Sequence, residues 1–408
     1  MPSPTSKTPK QTRSLIHQPH RDAWLEVDLG ALEHNAKTIK AHLEALSAQH
    51  GRTTPLSLMA VVKADAYGHG AVMVAPILKA CGFSQLGVAS IDEALQLRQA
   101  GIELPILVLS ASPLWAMPLA SQHHVQLTIF NPSHLKALAE QKQPVTVQVK
   151  IETGMHRIGV PWQEASGFLQ ALEGIPMAKV AGIFSHFAQG DNPQACQQQW
   201  ERLAHVLAEN PTEAGQQVHI ANSLGAFNSP QAWQQCNVAR VGIALYGYEV
   251  PTSVLPQALQ PVMGLKARFS HIQQVEAGEG VSYNHTYITQ KRQWLGTIPL
   301  GYADGLPRGL SNQLTASYQG VRIAQVGMIT MDQTVFDLSP IVERLGKPPA
   351  LGNVITVLET GKQAVPATET GSQPLTLSAW AKTLNTIEYE LMCGLRVRLP
   401  RIYTRSGI

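Results

Sequence analysis

The stretch richest in chemistry runs Leu58-Met59-Ala60-Val61-Val62-Lys63-Ala64-Asp65-Ala66-Tyr67-Gly68-His69-Gly70. An apolar run ends in a lysine and breaks into a glycine-punctuated loop. An amine among apolar walls is hard to keep charged, so its pKa falls and it becomes a better nucleophile. Such an amine forms a Schiff base with an aldehyde cofactor. A surface lysine snorkelling from a strand end fits this segment equally well taken alone, so the other strand ends carry weight.

Those ends are polar too. Ala221-Asn222-Ser223-Leu224-Gly225 closes one apolar run, and Ser223 can open a helix, offering a hydroxyl and backbone N–H groups to an anion. By itself the Asn-Ser pair also fits an ordinary helix cap. Arg240-Val241-Gly242-Ile243 closes the next run, and Lys150-Ile151-Glu152-Thr153-Gly154-Met155-His156-Arg157-Ile158-Gly159 an earlier one. The planar fork of Arg157 suits a carboxylate or phenolate. His186 ends the run Val180–His186. A lone histidine there is ordinary, but four such polar strand ends in succession are not.

The elements that must position these groups follow from hydrophobic pattern. Eight short apolar runs rich in branched residues are Leu56–Lys63, Gln85–Ser90, Pro105–Ser110, Val125–Phe130, Val145–Glu152, Val180–His186, Gln217–Ser223 and Val238–Tyr246. Amphipathic stretches such as Ile91–Ala100, Pro132–Gln141 and Asn192–Asn210 lie between them. Eight strand-helix units predict an α/β fold, a closed (β/α)8 TIM barrel with functional groups at the C-terminal strand ends. An open doubly wound sheet is the alternative, and no G-x-G-x-x-G follows the first strand. Upstream, Ala23–Leu29 alternates like a strand and Gly30–Ala48 reads as a helix; this ninth strand is expected to pair with a second domain. Beyond residue 262 period-two runs and Gly turns predict a mostly antiparallel β-domain, interrupted by a helix over Leu377–Met392 and a loop over Gly361–Pro374. The expected organisation is a disordered tail over 1–21, a barrel over 22–262 and a β-domain over 263–408.

Composition narrows the class. The net charge of +3 and the lack of a basic stripe argue against nucleic acid. No apolar run reaches the ~18 residues of a membrane span. Cys81, Cys196, Cys236 and Cys393 form no C-x-x-C pair, so four reduced thiols are expected, with no metal site. The polar first 21 residues lack an apolar signal core, which makes the cytoplasm the expected compartment.

With these residues in view, the chain resembles the alanine racemases from about Ala23 to Tyr403. The segment Ala60–Gly70 is similar to the family's cofactor-lysine signature. Glu152–Gly159, Ser185–Ala188, Arg240–Ile243, Val281–Tyr283, Pro299–Gly305 and Met331–Gln333 follow in the family order. The resemblance implies an isomerase producing D-alanine, a cell-wall precursor, with pyridoxal 5′-phosphate bound through Lys63. It implies a homodimer in which each partner's β-domain completes the other's active site. Tyr67, Tyr403 and Ser223, with backbone at Gly242 and Ile243, would meet the phosphate, and Asn222 would lie in the same turn. Arg240 would meet the ring nitrogen, and Arg157 the phenolic oxygen and the substrate carboxylate. Lys63 and the partner's Tyr283 would act as the two bases, Lys63 on the D-enantiomer and Tyr283 on the L-enantiomer, with His186 and Arg240 assisting Tyr283. Tyr302, Met331 and Asp332 would face the substrate. Lys150 stands where relatives carry a carbamylated lysine. Asn284 replaces a glycine common in the family, and Thr330 a cysteine of some members.

Four other readings share parts of this pattern. A broad-specificity amino-acid racemase would keep Lys63 and Tyr283 but admit larger side chains. A decarboxylase of the same fold would rely on a cysteine instead of Tyr283, and no motif surrounds Cys393. A non-enzymatic pyridoxal phosphate carrier would not need the second domain. A barrel without the cofactor leaves Lys63, Ser223 and Arg240 unexplained together.

Overall fold

The computed structural model describes residues 21–229, 236–248, 255, 257–361, 375–395 and 397–405. The chain divides into two units. One holds Asp28–Met263, Glu359–Leu395 and Arg405–Ile408; the other holds Met1–Val27, Gly264–Leu358 and Arg396–Thr404.

The first unit is the barrel. Its strands are Ser57–Val61, Gln85–Val88, Ile106–Val108, Val125–Ile129, Val145–Glu152, Ala178–Phe184, Gln217–His219 and Val238–Val241. The first seven are parallel and paired in chain order, and the eighth pairs in parallel with the first, with Arg240 opposite Met59. Asn237 bridges the seam between the seventh and eighth: its N–H donates to the Val218 carbonyl at 3.0 Å and its side chain accepts from Val218 N at 2.8 Å. Six of these strands are shorter than the apolar runs; the fifth and sixth match theirs in length. The expected strand Val238–Tyr246 stops at Val241, because the chain turns at Gly242 into a 3-10 helix over Ile243–Tyr246.

Helices follow the strands with local caps. Ser90 Oγ accepts from Glu93 N, and Asn131 and Asn192 cap helices that begin with proline. Asp28 caps the long helix Leu29–Gln49 by accepting from Gly30 N and Ala31 N. That helix lies along the eighth unit: buried Asn35 donates to the carbonyls of Leu245 and Gln260. The expected helix Leu377–Met392 is two, Leu377–Leu384 and Glu388–Gly394, broken at Asn385 with a left-handed φ of 52°. Both belong to the barrel unit, not to the β-domain in which the sequence pattern places them.

The second unit contains a six-stranded sheet in the order Val321–Ala324, Thr315–Tyr318, Val354–Leu358, Met263–Arg268, Ala23–Asp28, Arg401–Thr404. The surplus strand at Ala23 therefore pairs as the sequence suggests. A three-stranded antiparallel sheet joins His271–Val275, Gln293–Ile298 and Thr334–Asp337. The tail boundary at 21 needs correction. Arg21 is tied down, donating to Asp304 Oδ2 at 2.9 Å and to the Pro299 carbonyl at 3.0 Å. Residues 1–20 and most of the loop Gly361–Pro374 lie outside the described residues. The four cysteines are free thiols. Among the described residues, no helix is long and apolar enough to cross a membrane, and no group of three or more His, Cys, Asp or Glu is placed to hold a metal ion.

Candidate active site

The C-terminal strand ends converge on a cavity of about 420 Å³. Lys63, Tyr67, Arg157, His186, Asn222, Ser223, Arg240, Gly242 and Ile243 all line it, so the sequence-predicted residues of the barrel meet in one place. Lys150 lines it as well.

Lys63 follows the first strand. Burial, then Arg157, pull its amine below the ordinary lysine range; Cys393 and Glu93 act the other way, and Arg240 adds to the lowering. The next four residues take an unusual path. Ala64, Asp65, Ala66 and Tyr67 all have left-handed φ, between 52° and 56°. At roughly 1–2 kcal/mol per residue, such a turn costs about 4–8 kcal/mol and persists only where the surroundings over-determine it. His69, buried and stacked on Tyr246 at 4.4 Å, helps: its Nδ1 donates to the Ala66 and Tyr67 carbonyls. The turn delivers the Tyr67 hydroxyl to Gly242, where an added Cβ would stand 2.7 Å from it. Gly242 N donates to Ser223 Oγ at 3.0 Å. Asn222 Oδ1 accepts from Gly225 N, shaping the adjoining turn.

Arg240 is buried on the eighth strand. Its Nη1 donates to His219 Nδ1, and its Nη2 to His186 Nδ1 and to the carbonyls of Ser185 and Ile220. Burial lowers its pKa only to about 10, so it stays cationic at neutral pH. An arginine cannot accept a proton. Both histidines must therefore present a bare Nδ1 to it and carry hydrogen on Nε2. Burial and Arg240 also push both imidazoles well below their ordinary range, which keeps them neutral. The same polarity continues down the barrel. His219 Nε2 donates to Gln148 Oε1 at 2.7 Å, and Gln148 Nε2 donates to Gln126 and Gln217. The sequence reading missed His219 and Gln148. Polar side chains at inward positions of parallel strands, which ordinarily read as continuous apolar runs, were the available signal.

Lys150 is buried over the same Phe184 ring as the Arg240 cation, with the Ile151 carbonyl at 3.2 Å and Ser185 Oγ at 3.5 Å as its bonds. Burial first, then Arg240, lower its amine to about 7.

Tyr403 lies on the sheet strand Arg401–Thr404 of the other unit. Tyr389, which the sequence reading did not single out, lines the cavity, its ring 5.8 Å from that of Tyr67. Tyr389 sits just past the helix break at Asn385, which redirects the second helix.

The remaining expected residues belong to the β-unit. Tyr283 opens a 3-10 turn and is 72% exposed. Asn284 has φ 61°, a left-handed conformation that asparagine tolerates almost as glycine does, so the departure from the family's glycine is accommodated. The Tyr302 turn lies against the Met331 loop: Tyr302 N donates to the Thr330 carbonyl and Ala303 N to the Met331 carbonyl. Gly301 permits this approach, since a Cβ there would meet those carbonyl oxygens at 2.3 and 2.4 Å. Buried Asp304 accepts from Gly301 N and from Arg21, and Arg398 bonds both Asp304 and Asp332. The side chains of Tyr302 and Met331 are exposed.

The chain matches the profile "Alanine racemase, N-terminal domain" over residues 27–250 and "Alanine racemase, C-terminal domain" over 262–403. It belongs to the alanine racemase family. It is 38% identical over 393 residues to the alanine racemase of Nostoc sp., covering 93% of this chain and 95% of that one. The crystal structure of alanine racemase from Bacillus anthracis with bound L-Ala-P aligns at TM-score 0.82 and 33% identity, covering 95% of this chain and 96% of that one. A histidine racemase from Leuconostoc mesenteroides aligns at TM-score 0.81 and 27% identity, covering 95% of this chain and all of that one. Membership makes the chain an isomerase, and the family architecture of barrel plus β-domain is the one observed here.

Proposed function

We propose that this racemase-family chain interconverts L- and D-alanine with pyridoxal 5′-phosphate, as a cytoplasmic homodimer whose copies complete each other's sites. The observation that carries the reading is the convergence of Lys63, Arg157, His186 and Arg240 with the Ser223–Gly242–Tyr67 cradle in one cavity. The cradle suits the cofactor: a backbone with no Cβ, a serine hydroxyl and a tyrosine hydroxyl surround a place for a phosphate. Lys63 would hold the aldehyde end, Tyr67, Tyr389 and Ser223 the phosphate end, and Arg240 the ring nitrogen. The four bonds of Arg240 described above use only its terminal nitrogens, which leaves Nε to face that nitrogen. When bound, the cofactor supplies an electron sink that acidifies the α-carbon of an amino acid.

The chain's own groups then divide the work. Arg157 orients the carboxylate through its fork. Lys63 Nζ, its proton affinity lowered by burial and Arg157, takes or returns the α-proton on one face. Tyr283 Oη from the partner serves the opposite face. Its exposure in the single chain, with that of Tyr302 and Met331, supports a partner-facing role. A phenol is a poor base at neutral pH. His186 offsets this by offering Nε2–H to the phenolic oxygen, since Arg240 occupies Nδ1. Tyr302 and Met331, held together by the Gly301 approach, narrow the space for the side chain. Asp332, bonded to Arg398, fixes that loop.

Lys150 bears on Arg157. An amine with a pKa of about 7 is largely uncharged above neutrality and free to add carbon dioxide. The resulting carbamate would put an anion near Arg157 where the free amine is largely neutral. We expect enzyme stripped of carbon dioxide to lose activity and to regain it with bicarbonate, more completely at about pH 8 than at about pH 6, because protonation below the pKa blocks the addition. Indifference to bicarbonate at both pH values would assign Lys150 the free amine.

The assignment itself is tested by α-proton exchange in deuterated water. L-alanine, L-serine, L-lysine, L-arginine and L-histidine are supplied in turn, with chiral analysis of each product. Fast conversion of alanine alone is expected. Fast conversion of a larger side chain would move the chain to a broad-specificity racemase. No exchange with bound cofactor would overturn the racemase reading in favour of a carrier.

A further inference from the structure

We propose that Glu93 is a positioning residue: it clamps the left-handed turn that spaces Lys63 from Tyr67, and through that turn sets how tightly the cofactor is held. The proposal rests on the reading of Lys63 as the cofactor lysine.

Glu93 lies in the first turn of the helix Ile91–Gln99, and Ser90 Oγ accepts from its N–H. A glutamate at this position ordinarily serves its own helix start. Here only half of it does. Oε2 accepts from Ala89 N at 2.7 Å, whereas Oε1 leaves the helix and accepts from Ala64 N at 2.6 Å. Ala64 is the first residue of the left-handed run. Asp65 closes the far end, accepting from Ala71 N at 2.8 Å. Between these anchors Gly68 N donates to the Ala64 carbonyl, and Gly70 N to that of Asp65.

Four residues bearing a Cβ do not hold left-handed geometry unaided. Lys63 precedes the run and Tyr67 ends it, and the two groups would serve opposite ends of the cofactor. Release of the turn at Ala64 therefore changes the distance between the aldehyde site and the phosphate cradle. Glu93 makes this contact from a separate strand-helix unit, so it ties the second βα loop to the first.

Glu93→Gln keeps the size of the side chain but offers one amide oxygen to two N–H donors. The holoenzyme of each variant is dialysed and its cofactor dissociation constant read from visible absorbance. Borohydride reduction with peptide mapping locates the attached lysine, and melting curves are recorded with and without pyridoxal phosphate. We expect wild type to be labelled at Lys63 and E93Q to bind the cofactor about 10- to 100-fold more weakly, the range of one lost charged hydrogen bond. Ala64→Gly in the E93Q background is expected to recover much of the loss, because glycine holds the left-handed turn without a clamp. A purely structural role would lower the melting temperature of the cofactor-free protein and would not respond to A64G. If E93Q does not fold, Glu93→Asp, one methylene shorter, is expected to show a smaller loss with the same rescue. Wild-type affinity in the glutamate variants, or a loss that A64G leaves untouched, overturns the proposal while Lys63 labelling keeps the cofactor reading. Labelling at another lysine overturns both.

Discussion

Tyr283→Phe is expected to slow α-proton exchange from L-alanine by about 10²- to 10⁴-fold, the range of a lost general acid-base group, while exchange from D-alanine with retention persists. The asymmetry follows from the proposed assignment of Lys63 and Tyr283 to opposite faces. Lys63 Nζ is in the barrel cavity and untouched by the substitution. The phenol of Tyr283 is exposed on a 3-10 turn, and Ser282 before it and Asn284 and His285 after it all have positive φ. Ser282 Oγ holds that turn by donating to the Met328 carbonyl at 2.7 Å. Loss of one oxygen from an exposed side chain leaves these bonds intact, so stability should change little. The measurement is deuterium wash-in by NMR from each enantiomer separately. Equal losses from both would place the two bases in series on one face and sink the two-face assignment. A loss confined to D-alanine would exchange the roles of Lys63 and Tyr283.

The residues that were legible share a physical reason. Lys63, Arg157 and Ser223 follow apolar strands and Arg240 lies near the end of one, in a regular eightfold pattern, and strand ends of a parallel barrel point to one mouth. The surplus strand at Ala23 was legible by counting. What escaped depended on backbone reversals and buried polarity. The alternation over Val281–Thr289 suggests one strand, yet left-handed residues at 282, 284 and 285 split it into Gly280–Val281, a 3-10 turn and Tyr287–Ile288. Asn385 breaks a helix that looks continuous by periodicity, and without that break nothing directs Tyr389 to the barrel cavity. Arg21 reads as the end of a polar tail, because its partner Asp304 is 283 residues away. His219 and Gln148 are hidden for the same cause: their meaning lies in partners on other strands.

Arg240→Glu is expected to raise the ratio of transamination to racemisation about tenfold or more. A carboxylate beside the ring nitrogen would accept a hydrogen bond from the protonated nitrogen and so favour the charged ring, whereas Arg240 offers only donors. One pKa unit of added preference corresponds to a tenfold change in that equilibrium. The substitution carries a cost. Arg240 is wholly buried and donates to His186, His219 and two backbone carbonyls, all of which lose a donor. Broken buried charge networks cost roughly 3–5 kcal/mol, so total activity and melting temperature should both fall. The ratio is the sound readout, because both products come from the same folded, cofactor-bound molecules. Two local effects act on His186 in this variant. Loss of the Arg240 cation relieves one cause of its depressed pKa, and burial, the larger cause, remains. Its Nδ1 also loses the donor that fixed the tautomer, so the proton can leave Nε2 and the help given to Tyr283 weakens. Racemisation should therefore decline from two directions while the route to a keto acid opens. Quantifying pyruvate against D-alanine from L-alanine in one reaction separates the outcomes. An unchanged ratio, with cofactor still bound, would show that Arg240 does not govern the protonation of the ring and acts only through His186.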